Sequence, residues 1–291
     1  MAERLLVARN LSKDYGGFRA LSGLNLTVAA GEIVGLLGPN GSGKSTALRL
    51  LLGFLRPSAG EATIAGFNCW GESVEVRKRV AYLPGELRLY ETMTGRQLIS
   101  FLGKLRGEAP GAEVAAYARK LDVDIDKPLM TMSSGMKRKV ALITVLAPRV
   151  PLIILDEPTN TLDPTMRDEL LEQLLQARDR GQAVLFSSHV LQEVEAVCDR
   201  VAILRQGELA HCQSMDDLRG SRSVTAQLTG PAPGVGPHGE SLPPDAVAGG
   251  RLTLTYHGPL PRLLNWLAEQ PLSDLKIEPL GLGPIYRQIH G

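Results

Sequence analysis

Three observations on the sequence predict an α/β fold class. Short apolar runs of strand length recur at 33–37 (IVGLL), 152–155 (LIIL), 183–186 (AVLF) and 201–204 (VAIL). Stretches with helical spacing separate them, at about 47–55, 164–178 and 190–198. The first run feeds a glycine-rich loop that opens straight into a helical pattern. Alternation of this kind is the signature of strands and helices wound into one layered core.

Taken in order, Leu24, Leu26 and Val28 alternate with Asn25 and Thr27, which predicts a strand with one wet face. Ile33, Val34, Leu36 and Leu37 form a nearly continuous apolar run, as expected of a parallel strand covered on both sides. Ala47, Leu48, Leu51, Leu52 and Leu55 then recur at helical spacing until Pro57 stops the pattern. Between about 86 and 150 the pattern is nearly all helical, with stretches at 94–106, 112–121 and 135–147, and is expected to form a helical subdomain inserted in the core. Beyond it the core is expected to run to about residue 215, leaving 216–291 as a small α+β carboxyl-terminal appendage. There Val224, Ala226 and Leu228 alternate as a strand does, as do Leu252, Leu254 and Tyr256, and Leu263, Leu264 and Leu267 follow at helical spacing. Residues 230–250 hold 11 Gly and Pro in 21 positions, which breaks both periodicities and predicts a long hairpin loop.

Composition narrows the function class. Of the 291 residues 44% are hydrophobic and 22% charged, the balance of a water-soluble globular protein, and nowhere do 18 apolar residues run uninterrupted. The net charge of +1 supplies no electrostatic reason to expect nucleic acid as a partner. Cys69, Cys198 and Cys212 are odd in number and irregular in spacing, which suits a reducing cytoplasm and suggests neither a disulfide framework nor a zinc site.

Residues 38–46 read GPNGSGKST and satisfy G-x-x-x-x-G-K-[ST]. The match lies between a buried strand and an amphipathic helix, where glycines let backbone N–H groups converge on phosphates and the helix amino terminus favours an anion. Gly38, Asn40, Gly41, Ser42, Gly43, Lys44, Ser45 and Thr46 are therefore the candidate nucleotide-binding residues. Lys44 is expected to hold the β- and γ-phosphates, and Ser45 to offer its hydroxyl to Mg²⁺. LIILDEP at 152–158 carries Asp156 and Glu157 to the carboxyl end of an apolar strand, where ligands collect in open α/β sheets. Asp156 is the candidate on the metal side, and Glu157 the candidate acceptor of a proton from water attacking the γ-phosphate.

With these motifs over about residues 4–215, the chain resembles the nucleotide-binding subunit of an ATP-binding-cassette (ABC) transporter, a P-loop ATPase. The family's LSGGQ segment is matched by MSSGM at 132–136, with Ser133 and Gly135 at the two positions that face a γ-phosphate, 23 residues before Asp156 in the case of Ser133. Taken alone, Ser133, Ser134 and Gly135 read as an ordinary helix cap. As a helix start distant from the first phosphate site, the segment implies a second anion site and hence a second subunit. Tyr15, in LSKDYGG, falls where the family stacks an aromatic on adenine. TNTLDP at 159–164 is similar to its D-loop, with Asp163 reaching across a dimer, although a helix cap before Pro164 explains the same residues. His189, 33 residues after Asp156, matches the switch histidine that touches the γ-phosphate.

The resemblance implies ATP and Mg²⁺ as cofactors, a second ATPase subunit, identical or paralogous, a separate transmembrane permease, and a peripheral position on the cytoplasmic face of the membrane. It departs from the family at the Q-loop: YLPGELRLY places Gly85 and Glu86 where a glutamine is expected. YLPGE, SSGM and an extension running to DLKIEPL resemble the exporter branch handling drugs and antibiotics, while the final GLGPIYRQI replaces its acidic and aromatic ending. Two other functions remain open at this stage: a soluble ABC ATPase acting on ribosomes or DNA, which usually carries two cassettes or long insertions, and a nonhydrolysing ATP-gated regulatory subunit.

Overall fold

A computed structural model describes residues 3–107 and 111–290. The chain divides into two compact units, 1–212 and 213–291.

The first unit begins with two long strands, β1 (Arg4–Tyr15) and β2 (Phe18–Ala29), followed by β3 (Ile33–Leu37), α1 (Lys44–Leu51), β4 (Ala59–Ile64), β5 (Phe67–Asn68), α2 (Ser73–Lys78) and β6 (Val80–Leu83). Three helices come next, α3 (Gly95–Arg106), α4 (Glu113–Lys120) and α5 (Ser134–Leu146). The core resumes with β7 (Leu152–Asp156), α6 (Pro164–Asp179), β8 (Ala183–Ser188), α7 (Leu191–Val197), β9 (Arg200–Arg205) and β10 (Glu208–Ser214).

One sheet has the order β10-β9-β3-β8-β7-β6, and β9, β3, β8, β7 and β6 pair in parallel. Every residue of β3, β7 and β8 is buried, the reason these strands read as unbroken apolar runs. A second, antiparallel sheet has the order β2-β1-β4-β5. Leu6, Leu24, Leu48, Leu51, Ile154 and Leu185 belong to one core cluster, so α1 is packed between the two sheets.

Helix α1 is shorter than the apolar spacing suggests. It ends at Leu51 because Gly53 takes a positive φ of 67°, and the Phe54 N–H turns back to the Arg49 carbonyl at 2.9 Å, satisfying a helix-end acceptor. The helical reading of 86–150 agrees with α3, α4 and α5. Thr94 caps α3 in a reciprocal box with Gln97, and residues 108–110 of this stretch lie outside the described residues.

The second unit contains α8 (Met215–Arg219), β11 (Ser221–Leu228), β12 (Arg251–His257), α9 (Leu260–Ala268), β13 (Leu272–Pro279) and α10 (Leu282–His290). Its sheet has the order β12-β11-β13, with both pairs antiparallel. Val224, Leu252, Tyr256, Leu263 and Leu267 form a core of its own. The Gly/Pro-rich segment does connect β11 to β12, but it is not irregular throughout: 244–250 contains short 3₁₀ turns interrupted by a kink at Val247, Ala248 and Gly249. Its carbonyls are also tied down, Val235 by the Trp266 indole at 3.1 Å and Pro237 by Arg262 at 3.0 Å.

Candidate functional site

Phosphate-loop geometry follows from glycine. Gly43 has φ 105°, which side chains rarely adopt, and a Cβ there would lie 2.8 Å from the Ala20 carbonyl oxygen. Only a bare backbone can turn here into the first residue of α1, Lys44. The Lys44 side chain is buried and folds back over the loop, donating to the carbonyls of Gly38 at 2.7 Å and Pro39 at 3.1 Å. Ser42 is also buried, and among the described residues its hydroxyl has no hydrogen-bond partner. A buried loop that leaves a hydroxyl unmatched suits an oxygen-rich ligand. Asn40, Gly41, Gly43, Lys44, Ser45, Thr46 and Glu157 line a cavity of about 240 Å³ together with Phe18.

At the carboxyl end of β7 the two acids face different partners. Asp156 Oδ1 accepts a 2.6 Å hydrogen bond from the Ser187 hydroxyl at the end of the neighbouring β8. The same Ser187 oxygen accepts from the Glu157 N–H at 3.0 Å, so one serine orients both acids. Glu157 has φ 46°, in the left-handed region that favours glycine. Its carboxylate lies 3.5 Å from Lys44 Nζ and 3.5 Å from His189 Nδ1, and accepts from the Asn160 amide at 2.8 Å. Partial burial pushes this carboxyl up, yet the Asn160 hydrogen bond and the Lys44 and His189 charges prevail and hold it below the usual glutamate value.

A larger cavity of about 540 Å³ adjoins this one, lined by Ser45, Asp156, Glu157 and Asn160, by Tyr82 on β6 and by Gly85 and Glu86 just beyond it. Burial, with the Asp156 charge in support, pushes the Tyr82 phenol up to about 12, so it stays a neutral hydrogen-bonding group. A Cβ on Gly85 would stand 3.5 Å from Asp156 Oδ2, so the position expected to hold glutamine does abut the acidic strand end. The exposed Glu86 lines the same cavity.

Ser45 and Asp156 offer oxygen donors on one cavity wall, a set that suits Mg²⁺, which typically takes one or two protein oxygens and completes its shell with phosphate and water.

The remaining candidates lie elsewhere. Ser133 is the N-cap of α5 and accepts from the Met136 N–H at 3.2 Å; Asp163 caps α6 through the Met166 N–H at 3.0 Å. Both are exposed, and a Cβ on Gly135 would sit 3.3 Å from the Thr161 carbonyl oxygen, so the start of α5 abuts the 159–163 loop. None of Ser133, Gly135 and Asp163 lines the cavity around 38–46 of the same chain. Tyr15, half exposed, pairs with Phe18 across the β1–β2 turn; Phe18 rather than Tyr15 lines that cavity.

Sequence reasoning missed four supports: Asn160, Ser187, Glu193 and Arg138. Glu193, buried on α7, accepts from Thr159 at 3.0 Å and Ser188 at 2.8 Å, and pairs with Arg167 at 3.3 Å, joining the loop after Glu157 to the residue before His189. Arg138, on α5, is buried and donates to the main-chain carbonyls of residues 84, 85, 156, 157 and 158. Burial pushes its guanidinium below the usual value against the pull of Asp156 and Glu157.

Comparison with known proteins agrees with this geometry. Residues 21–160 match the family model described as ABC transporter. The chain is 35% identical over 220 residues to the linearmycin resistance ATP-binding protein LnrL of Bacillus subtilis, covering 74% of this chain and 70% of the relative. It is 35% identical over 204 residues to the Nod factor export ATP-binding protein I of Burkholderia lata, covering 68% of this chain and 67% of the relative. A solved ATP-binding subunit of an ABC transporter superposes with a TM-score of 0.69 at 30% identity, over 74% of this chain and 92% of that one. A strand-to-loop-to-helix glycine turn facing an acidic strand end, on a fold and sequence shared with these proteins, makes the chain a member of the ABC transporter ATP-binding family, an ATPase subunit built on the ABC cassette.

Proposed function

We propose that this chain is the motor subunit of an ABC exporter, in which Lys44 and the 38–46 backbone grip the ATP phosphates and Glu157 is the general base. The observation that carries the reading is the convergence of Lys44, His189 and Asn160 on the Glu157 carboxylate. A carboxylate kept ionised and fixed beside the phosphate loop is poised to take a proton as water attacks the γ-phosphate. Lys44 neutralises charge on the transferred phosphoryl group, and His189 positions it. Ser45 and Asp156 are the residues to hold Mg²⁺, which neutralises phosphate charge when bound.

Ser133, Gly135 and Asp163 lie away from their own phosphate loop, which supports a head-to-tail pair of cassettes, each presenting these residues to the other's nucleotide. No helix among the described residues is long and apolar enough to cross a membrane. Relatives named as ATP-binding proteins favour a transport path supplied by a separate permease. The cassette then sits against the cytoplasmic face of that permease. Relatives named for linearmycin resistance and Nod factor export favour an outward-moved small molecule as cargo over a ribosomal or DNA target.

The test is Glu157→Gln in the full chain. A positioned base typically contributes about 10²–10⁴-fold, so turnover nearly stops while ATP still binds and accumulates a dimer detectable by light scattering. Turnover at the parental rate overturns the assignment.

A further inference from the structure

A buried guanidinium normally faces a carboxylate, since an unpaired buried charge is costly. Arg138 does something different: the hydrogen bonds described for it all go to main-chain carbonyls, and those carbonyls belong to two segments. Nη1 reaches the Gly85 oxygen at 2.8 Å and the Pro84 oxygen at 3.4 Å, in the loop leaving β6. Nε reaches the Pro158 oxygen at 3.1 Å, and Nη2 the Asp156 oxygen at 3.4 Å and the Glu157 oxygen, all at the end of β7. The planar fork of arginine can serve both segments at once; an ammonium cannot match that geometry.

Its hold on Glu157 completes a clamp. Ser187 fixes the Glu157 N–H from β8, and Arg138 fixes the Glu157 carbonyl from α5. Between these two grips the backbone is kept at φ 46°, a conformation a glutamate leaves when released. At the other end of the fork, Gly85 has no side chain with which to reach the acids, although a Cβ there would lie 3.5 Å from Asp156 Oδ2.

We infer that Arg138 is a positioning residue for ATP hydrolysis: it locks the peptide of Glu157 and the Gly85 loop into one unit, so that the carboxylate keeps its place beside Lys44 and any displacement of the loop is passed to it. This rests on the reading of Glu157 as base. Because the guanidinium sits on α5, the helix opened by Ser133, it also joins the start of the second anion site to the first.

Arg138→Lys in the full chain tests this, with Arg138→Met as the stronger lesion and ATP-site titration normalising for folded protein. Per-site turnover is expected to fall about tenfold or more with ATP affinity within about twofold of the parent, since the base is misplaced but the phosphate loop is untouched. Combined with Glu157→Gln, Arg138→Lys is expected to add less than about twofold, because the two act through one carboxylate. Amide hydrogen exchange, read without nucleotide, is expected to speed up together in the segments 84–88 and 156–160. Parental per-site turnover in Arg138→Lys, a full further loss on top of Glu157→Gln, or loosening of one segment alone overturns the inference. Parental turnover in Glu157→Gln alone overturns the base assignment instead, whatever Arg138 does.

Discussion

Lys44 and Glu157 stand 113 positions apart in sequence, and their charged groups meet at 3.5 Å with the lysine side chain 5% and the glutamate 19% exposed. Parallel pairing accounts for the meeting: β3 delivers the phosphate loop and β7 delivers the acid, both flanking β8 and ending on the same edge of the sheet.

Lys44→Ala removes the cation while leaving the glycine turn intact. A hydrogen bond to a charged group is worth about 1.5–3 kcal/mol, so ATP affinity should weaken by roughly ten- to a hundredfold. Titration calorimetry checks this, and an unchanged dissociation constant would remove Lys44 from the phosphate site.

Asn160→Ala should change the pH response of the enzyme. The native carboxyl of Glu157 titrates below its ordinary value of about 4.3, so its favourable contribution to stability is present above that pH and is lost as pH falls through the native value. Without the amide, burial gains ground and the native value rises. The acid limb of kcat/KM is therefore expected to move to higher pH, and a superimposable profile would show that Asn160 does not control the base.

Ser187→Ala deprives the buried Asp156 of a 2.6 Å donor, while the Glu157 N–H loses the hydroxyl but keeps the Ser187 carbonyl oxygen at 3.2 Å. Leaving buried groups unmatched costs about 1–3 kcal/mol, and calorimetric melting should register a drop of several degrees. A variant melting with the parent would mean that other donors already satisfy Asp156.

Gly43→Ala combines an unfavourable φ with a 2.8 Å encounter with the Ala20 carbonyl. It is expected to lower the melting midpoint and to abolish ATP-dependent stabilisation, which for the parent grows with ATP concentration. Thermal shift at saturating ATP decides it: a parental increment would show that the loop tolerates a side chain here.

How far the sequence was legible depended on contrast between neighbours. β3, β7 and β8 were plain because both faces are buried, and the phosphate loop because its glycines and lysine are tied to one geometry. β1 was missed because its ladder shifts register after Ala8 and again around Lys13, which breaks the alternation that marks a strand. β4, AGEATI, is exposed over its first half and offers no apolar run, while β5 and β6, at two and four residues, lacked room to show a period. Arg138 hides in the basic run KRK and reads as surface; the available signal was its place three and four residues before Ala141 and Leu142, on the buried stripe of α5. Ser187 and Asn160 carry no motif of their own, since what they do depends on a strand neighbour and a turn that only folding supplies. Ser133 and Asp163 show the reverse: capping explains each within one chain, and only a second copy would give them more to do.

The left-handed peptide at Glu157 places a backbone burden on the residue proposed as base. Glutamine there inherits the same backbone burden, so Glu157→Gln isolates the chemistry, whereas glycine would relieve a burden of about 1–2 kcal/mol but forfeit the carboxylate's contacts with Lys44, His189 and Asn160 and loosen the unfolded chain. Relief of the backbone and loss of these partners therefore oppose one another at this position, and the glutamate keeps its burden together with the contacts that hold it there.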